Sequence, residues 1–227
     1  MNSSNQEELS PAKIRREREK EQRRLAIMNA AEKLFLSKGF ENTTMKQIAN
    51  KAELGKGTLY NYYNSKDELY ISIGIKAYSL IIKYTKQFTE KEKPGLKQLM
   101  AVGYAYYEFS KDYPNYISIF HDIASRLPDI ISKQESELSK TEKEYLNLSN
   151  TYRDTFIKIL NDAVKNEAIR ADKNPFIIGY VLSTITRGII EDLTQSKDRV
   201  KKIFKLDPDD VIDFTFEIIG DGLKPRE

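Results

Sequence analysis

Apolar residues recur at three- and four-residue spacing along most of the chain, and this spacing is typical of amphipathic helices. The first apolar stripe consists of Leu25, Ile27, Met28, Ala31, Leu34 and Phe35. It predicts one long helix, which Gly39 can close in the left-handed conformation. A shorter stripe spans residues 45–52, after which Gly55 and Gly57 interrupt the pattern before residues 58–63 resume it. The pattern therefore predicts a long helix followed by two short helices with a tight turn between them.

Two capping boxes mark predicted helix starts. Thr44 and Gln47 stand three residues apart, as do Ser65 and Glu68, so each pair can satisfy free amide groups in the first turn of a helix. The second pair opens a fourth predicted helix, which runs to about Phe88. Its start follows directly on the second of the two short helices.

The rest of the chain reads as further helices with prolines at or near their starts. The predicted helices are 95–111, 116–124, a long one within 129–166, 175–196 and 208–220. The charged stretch 133–144 fits either an exposed helix or a loop. There is no convincing alternating strand pattern and no internal repeat, so we predict an all-α fold.

Composition narrows the class of protein. The chain has 227 residues and is 40% hydrophobic, which is enough for a core. No run approaches the roughly 18 apolar residues of a membrane span, and the N-terminus lacks a secretory signal pattern, so we expect a cytoplasmic protein with no membrane partner. The absence of cysteine excludes disulfides and thiolate metal sites, and the single histidine argues further against a metal site.

The positive charge is concentrated in the first third of the chain. Between Ala12 and Lys66 there are 13 Lys and Arg against six Asp and Glu, whereas the segments before and after it each carry a balance of −2. Such asymmetry indicates that one end meets a polyanion. A solvated, basic start of a helix is the alternative explanation for the charge run alone.

The predicted third helix has an outward side suited to DNA. Stepping about 100° per residue from Lys56 places Leu59 and Tyr63 on a core-facing side. The outward residues are Gly57, Thr58, Tyr60, Asn61 and Tyr62. Glycine permits close approach of the backbone, threonine offers a methyl and a hydroxyl group to base edges, and tyrosine hydroxyls reach phosphate oxygens. The alternative is that the tyrosines cap a small core.

The segment that contains these residues resembles a known family. The segment TTMKQIANKAELGKGTLYNYYNSKDELY is similar to the helix-turn-helix of the tetracycline-repressor (TetR/AcrR) family of bacterial transcription regulators, and AIMNAAEKLFLSKGFENTT resembles the helix before it. The resemblance covers roughly residues 23–75. It implies an N-terminal three-helix DNA-binding domain and a larger C-terminal helical domain that binds an effector and dimerises. We therefore expect a disordered tail over 1–11, the DNA-binding domain over 12–66 and the effector domain over 67–227.

The resemblance also implies particular DNA contacts. The residues it assigns to the groove or to phosphates, together with Asn61 from the outward side, are Thr44, Lys46, Lys56, Gly57, Thr58, Tyr60, Asn61, Tyr62 and Lys66. One departure stands out, because Glu53 occupies the position where family members commonly have the turn glycine. A glutamate held at positive φ would cost about 1 kcal/mol. We expect this to alter the geometry of the turn but not the motif.

The C-terminal two thirds of the chain contain a group of candidate effector residues. Aromatic side chains cluster between Val102 and His121, which predicts either a cavity for an apolar effector or simply a packed core. The candidate effector residues are Tyr104, Tyr107, Tyr116, Phe120, His121, Tyr180 and Arg187. His121 and Arg187 are equally explained as hydrogen-bonded or solvated structural residues.

Two predicted C-terminal helices have the pattern of a dimer interface. The helix 175–196 carries small residues that permit close approach, and the segment VIDFTFEII is apolar around most of its circumference. The candidate interface residues are Tyr180, Ser183, Thr184, Val211, Thr215 and Ile218. A two-fold dimer would place two helix-turn-helix domains about one DNA turn apart, which fits a palindromic operator.

The resulting hypothesis is a sequence-specific DNA-binding regulator. We expect a homodimeric repressor, without a cofactor, that a small and largely apolar effector releases from double-stranded DNA by shifting the fourth helix. One alternative is a structural helical adaptor that binds nucleic acid without sequence preference. An enzyme is the other, but there is no glycine-rich phosphate loop, no nucleophile elbow and no metal-ligand cluster in the sequence.

Overall fold

The structure, a computed structural model, describes residues 10–225 apart from the side chains of residues 121, 124–127 and 197. All regular structure in that range is helical, which confirms the predicted all-α fold. The helices are α1 (Pro11–Lys38), α2 (Met45–Lys51), α3 (Lys56–Tyr60), α4 (Lys66–Thr89), α5 (Leu96–Asp112), α6 (Pro114–Ile131), α7 (Lys140–Lys165), α8 (Pro175–Gln195), α9 (Lys197–Arg199), a π-helical turn (Val200–Phe204) and α10 (Pro208–Leu223). The tail predicted over 1–11 lies outside the described residues except for Ser10 and Pro11. None of the described helices is both long and apolar enough to cross a membrane.

The chain divides into two compact units, Met1–Ile73 and Gly74–Glu227. The N-terminal unit holds α1 to α3 and the start of α4, and the C-terminal unit holds the rest of α4 and the later helices. The predicted domain boundary at residues 66 and 67 is the start of α4, whereas the division by contacts falls seven residues later, inside that helix.

The core of the N-terminal unit forms where α1 packs on α2 and α2 packs on α3. Ile27, Ile48 and Leu59, one from each helix, are fully buried. An aromatic cluster holds the end of α1, because Phe35 stacks on Phe40 with ring centroids 5.6 Å apart and meets Tyr70 edge-on at 5.0 Å. The apolar stripe predicted for α1 is buried or half-buried from Ile27 onward, whereas Leu25 is exposed.

The C-terminal unit is built around α5, α7, α8 and α10, which pack on one another. Most of their bounds agree with the predicted ones to within three residues. The open alternative over 133–144 is settled, because the chain is loop up to Ser139 and helical from Lys140. The prediction for α6 was too short, since this helix continues through Pro128 to Ile131 and buries Ile130 in its last turn.

Candidate nucleic-acid interface and effector cavity

The turn between α2 and α3 closes with a Schellman motif. The amide of Leu54 donates to the carbonyl of Ala49 at 2.9 Å, and the amide of Glu53 donates to the carbonyl of Asn50 at 3.2 Å. This pattern places Glu53 in the left-handed conformation, with φ 57°, at the position where glycine is usual. Gly55 has φ −66° and therefore makes no use of its conformational freedom. The expected change in the geometry of the turn is therefore wrong, because Glu53 itself adopts the positive φ and the turn keeps the hydrogen bonds that a glycine at this position usually makes.

The short helix α3 divides into a buried side and an open side, as its spacing predicted. Leu59 is fully buried and Tyr63 nearly so, whereas Gly57 and Asn61 are exposed. A Cβ added at Gly57 would meet no atom within 4 Å, so nothing in the described part of the chain covers that position. Tyr60 is 40% exposed on the same helix. The open side can therefore approach a flat or grooved partner closely.

Three further charged or hydroxylated candidates lie at the starts of α2 and α3. Thr44 caps α2, since its Oγ1 accepts the amide of Gln47 at 3.3 Å while the side chain of Gln47 accepts the amide of Thr44 at 3.0 Å. This confirms the predicted capping box and leaves the Thr44 hydroxyl proton available as a donor. Lys46 is exposed, and Lys56 is exposed with its Nζ 5.6 Å from the ring centroid of Tyr60.

Lys66 differs from the other candidates because it is engaged within the protein. Its Nζ donates to the carbonyl of Phe40 at 2.8 Å and stands 4.0 Å from the centroid of the Phe40 ring. The ammonium group therefore ties the start of α4 to the segment after α1. At the same helix start, Ser65 Oγ accepts the amide of Glu68, but Glu68 accepts from Asn64, so only half of the predicted capping box forms.

A basic helical arm, defined as residues 11–26 of α1, was missing from the candidate residues. Every residue of the arm is exposed. It carries seven Lys and Arg against three Glu, and at 1.5 Å per residue it is about 24 Å long. Its base lies beside the segment that follows α3, because the guanidinium of Arg24 is 5.7 Å from the ring centroid of Tyr63. The uneven charge of the first third was the available signal, but the exposure of half a helix was not visible in the sequence.

The C-terminal unit holds a half-open cavity of about 300 Å³ between its helices. The lining residues are Tyr78, Ile81, Leu99, Met100, Val102, Gly103, Tyr106, Phe120, Tyr152, Arg153, Phe156, Leu182, Ser183, Thr186, Arg187, Phe216 and Ile219. Most of these side chains are apolar, and the polar ones are phenols, hydroxyls and two guanidinium groups. Such a composition suits an apolar ligand that carries a small polar group.

Two of the seven candidate effector residues, Phe120 and Arg187, line this cavity. Tyr104 and Tyr107 instead hold α5 to α10, because their hydroxyls donate to Asp213 at 2.8 Å and to Asp209 at 2.7 Å. Burial raises the pKa of Tyr107, and the hydrogen bond to Asp209 raises it further, so the phenol remains a neutral donor. These two tyrosines therefore have structural partners rather than a place on the cavity wall.

Two further candidates, Tyr116 and Tyr180, also lie away from the wall. Tyr116 is buried in the aromatic core, where its ring stacks on Tyr113 with centroids 5.7 Å apart. Tyr180 is 72% exposed and faces outward from α8. The side chain of His121 lies outside the described residues. The aromatic cluster between residues 102 and 121 is thus largely packed core, which was the alternative left open.

Sequence reasoning missed three tyrosines of the cavity: Tyr78, Tyr106 and Tyr152. Burial raises the pKa of Tyr78, which meets Phe120 edge-on at 4.9 Å. Burial also raises the pKa of Tyr106 to about 12, although the positive charge of Arg187 acts in the opposite direction. Tyr106 belongs to the aromatic cluster between residues 102 and 121, but spacing alone does not distinguish it from Tyr104 and Tyr107.

An apolar surface remains exposed on α8 and α10, two helices that pack on each other. Its members are Phe176, Ile177, Tyr180, Val181, Ile185, Phe214 and Ile218. Among the candidate interface residues, Ser183 and Thr184 are exposed with it. Val211 is partly buried against the core, and Thr215, whose hydroxyl donates to the carbonyl of Val211 at 2.7 Å, is partly buried too.

A long helix, two short helices joined by a tight turn and an open third-helix surface together define a helix-turn-helix protein with a second, larger helical unit. Residues 27–73 match the family model described as bacterial regulatory proteins, tetR family. This match confirms the resemblance to the tetR family over residues 27–73.

Individual relatives agree with this match. YhgD of Bacillus subtilis, an uncharacterized helix-turn-helix transcriptional regulator, is 30% identical over 124 residues, which are 51% of this chain and 63% of that protein. The chain thus spans less than two thirds of this relative. The ketosteroid transcriptional regulator KstR2 of Mycobacterium tuberculosis is 18% identical with a TM-score of 0.65 over 90% of this chain and 96% of that one.

A further solved structure was determined with a ligand. It is the transcriptional regulator FadR of Bacillus subtilis in complex with stearoyl-CoA, which is 14% identical with a TM-score of 0.65 over 88% of this chain and 98% of that one. At such identities the likeness to either solved structure shows the fold alone.

Proposed function

We propose that the protein is a transcriptional repressor that binds a palindromic operator as a homodimer and is released by a small effector. The observation that carries the proposal is the open side of α3, with Gly57 uncovered and Asn61 exposed, in a segment that matches the tetR family model. A helix in this position of a helix-turn-helix enters the major groove and reads base edges. The regulator acts in the cytoplasm, where it meets chromosomal DNA.

Contacts to the DNA divide into base reading and phosphate binding. Gly57 allows the backbone to approach the groove, and Thr58 and Asn61 offer hydrogen-bonding groups to bases. Lys46 and Lys56 neutralise phosphates beside the groove, with the hydroxyls of Thr44, Tyr60 and Tyr62 as uncharged donors. Lys66 acts indirectly, by holding α4 against the end of α1 through the carbonyl of Phe40.

The basic helical arm adds a second, sequence-independent contact. Seven cations on one exposed helix attract a polyanion, and each phosphate they neutralise releases a counterion. The base of the arm contacts Tyr63, just after α3, through Arg24. In this proposal the arm binds the same duplex that α3 reads, and it raises affinity without adding specificity.

The exposed apolar surface on α8 and α10 is the site of dimerisation in this proposal. Large apolar side chains that stay exposed together usually mark an interface, and a second copy of the same surface covers it symmetrically. In sedimentation equilibrium we expect a mass near twice 26.3 kDa. Phe214→Glu should give monomers, whereas Ile131→Glu, at an exposed isoleucine of α6, should leave the dimer intact.

The effector acts through α4. This helix runs without a break from Lys66 to Thr89, and its residues Tyr78 and Ile81 line the cavity. A ligand that fills the cavity best in one position of α4 shifts the population toward that position and away from the DNA-binding one. The fold shared with FadR, which was solved with stearoyl-CoA, supports a ligand-responsive role for the C-terminal unit.

The proposal is tested by selecting DNA from a random duplex library with the purified full chain. We expect enrichment of inverted repeats, and apparent affinity for the selected duplex should then be measured by fluorescence anisotropy. Gly57→Ala should weaken that affinity mildly and Gly57→Leu severely, since a larger side chain blocks close approach to the groove. Both variants should stay folded by circular dichroism, because the space at Gly57 is open. Equal binding to all duplexes would instead favour a non-specific adaptor.

A further inference from the structure

The cavity of the C-terminal unit has walls that select an apolar ligand body. Its carbon-rich side chains are Ile81, Leu99, Met100, Val102, Phe120, Phe156, Leu182, Phe216 and Ile219. Apolar ligand surface that enters such a cavity is stabilised by leaving water. The volume of about 300 Å³ lies at the lower end of small-molecule sites and suits one slender ligand.

Two arginines line the cavity, and Arg187 is the one that is available to bind an anionic ligand. No hydrogen bond or ion pair joins Arg187 to any other described residue. Its nearest acidic neighbour along α8, Glu191, accepts a hydrogen bond from Gln195 at 2.9 Å instead. The other arginine of the wall, Arg153, is 63% exposed and paired with Asp154 at 3.1 Å. Arg187 therefore keeps its planar set of N–H donors for an external anion.

Neutral phenols line the same cavity as this guanidinium, namely those of Tyr78 and Tyr106. The positive charge of Arg187 acts to lower the pKa of both phenols, but burial outweighs it. Burial raises the pKa of Tyr106 to about 12, so its hydroxyl stays protonated at neutral pH and can donate to an anion. A guanidinium with phenol donors in the same cavity suits the oxygens of a carboxylate or a phosphate.

We propose that the effector is an anionic amphiphile, with a carboxylate or phosphate head bound by Arg187 and an unbranched or flat apolar body within the cavity. This inference rests on the proposed function and names the ligand class of the same site. A neutral apolar compound would leave the donors of Arg187 without an acceptor from the ligand, and a cationic one would be repelled by Arg187. The head group thus decides specificity, while the body supplies most of the affinity.

Binding by the full chain should be measured by isothermal titration calorimetry with four probes of equal chain length, each below its micelle concentration or, for the alcohol, below its solubility limit. The probes are dodecanoate, dodecyl phosphate, 1-dodecanol and dodecyltrimethylammonium. We expect the two anions to bind and the other two to bind at least about tenfold more weakly, since a hydrogen bond to a charged group is worth about 1.5–3 kcal/mol. Tighter binding of one anion assigns the head as carboxylate or phosphate.

Arginine variants locate the head. Arg187→Gln should weaken binding of the preferred anion about ten- to a hundredfold, and Arg187→Lys less, because it keeps the charge without the planar donors. The matched control is Arg153→Gln, which removes the paired arginine of the same wall and should change affinity less than about threefold. Both arginines are exposed, so both variants should fold.

The inference is overturned if no anionic probe binds, if 1-dodecanol binds as tightly as dodecanoate, or if Arg153→Gln causes the larger loss. DNA binding by the same samples without ligand separates this inference from the proposed function. If the protein binds its operator but shows no preference for anionic probes, only the proposed ligand class is wrong. Loss of sequence-specific DNA binding in the unmodified protein would instead count against the proposed function.

Discussion

The amide of Leu54 donates to the carbonyl of Ala49 at 2.9 Å, and this closure holds Glu53, the residue before Leu54, at φ 57°. A non-glycine residue in the left-handed region costs about 1–2 kcal/mol. The turn that orients α3 is therefore strained at a single position. The strain persists because Leu59 and Ile48, both fully buried, fix the two short helices on either side of it.

Relief of this strain gives the first prediction. Glu53→Gly should raise the free energy of unfolding of the N-terminal unit by about 1 kcal/mol, measured by urea denaturation followed by circular dichroism. Glu53→Gln is the matched control, since it removes the same charge but keeps the side chain that causes the strain, and we expect it to leave stability nearly unchanged. Equal stabilisation by both variants would assign the effect to charge.

The basic helical arm gives the second prediction. Replacing Arg15, Arg16 and Arg18 together by Gln should lower the slope of log affinity against log salt by about 0.9 for each phosphate that these arginines neutralise. Affinity should fall by a similar factor for operator and random duplex, because phosphate contacts carry no sequence information. Anisotropy titrations at several salt concentrations measure both quantities, and the fold should be unaffected since these residues are exposed.

A control keeps this prediction specific to the arm. Lys158→Gln removes an exposed cation from α7 and should leave the salt slope unchanged. If the triple variant also kept the wild-type slope, the arm would be a solvated helix start, which is the alternative that the charge pattern left open.

The surface of α3 could be predicted from the sequence because residue spacing along one helix fixes the side on which each residue lies. The 3.6-residue repeat assigned Leu59 and Tyr63 to the buried side and Gly57 and Asn61 to the open side, and the structure has them there. The capping box of Thr44 could be predicted for the same reason, because it involves neighbouring residues alone.

The cavity could not be predicted in this way, because its walls come from helices that are far apart in the chain. Tyr104 and Tyr107 pair with Asp213 and Asp209, which lie 109 and 102 residues further on. Spacing assigns a tyrosine to a side of its own helix, but it does not say which helix packs there. Only the tertiary packing turns Tyr106 toward the cavity while its neighbours fasten α5 to α10.

The close packing of α5 on α10 gives the third prediction. A Cβ added at Gly103 would overlap the ring of Phe216, which also lines the cavity. Gly103→Ala should therefore destabilise the protein by about 1–3 kcal/mol, as overpacking of a core does. Gly222→Ala, at a glycine of α10 with no atom within 4 Å of an added Cβ, should be neutral or stabilise by up to about 1 kcal/mol.

Thermal denaturation of the two variants measures this contrast. The Gly103 variant should also bind the preferred anionic probe more weakly, because a displaced Phe216 ring takes up part of the cavity. Similar melting temperatures for both variants would show that Phe216 can move aside at little cost, and the rigid wall assumed for the cavity would then be untenable.

The start of α7 gives the last prediction, which concerns pH. Burial by itself raises the pKa of Glu142, but hydrogen bonds from Lys133 Nζ at 2.6 Å and from the backbone amide of Ser139 at 2.8 Å outweigh it, so the pKa lies below its usual value. A carboxylate with a lowered pKa in the folded state contributes stability that is fully present above the unfolded pKa. That contribution is lost as the pH falls through the folded pKa.

Glu142→Gln removes this titration while its amide can still accept the Ser139 hydrogen bond of the capping box. At pH 7 the variant should be less stable than the wild type by up to about 1 kcal/mol, because the Lys133 end of the pair is partly exposed. The difference should shrink as the pH falls below the ordinary glutamate pKa of about 4.5, and it should vanish once the wild-type carboxylate is fully protonated. Urea denaturation at a series of pH values measures it. Glu144→Gln, in the same turn but exposed, should show no such convergence, and a constant difference for Glu142→Gln at every pH would mean that shape rather than charge stabilises the helix start.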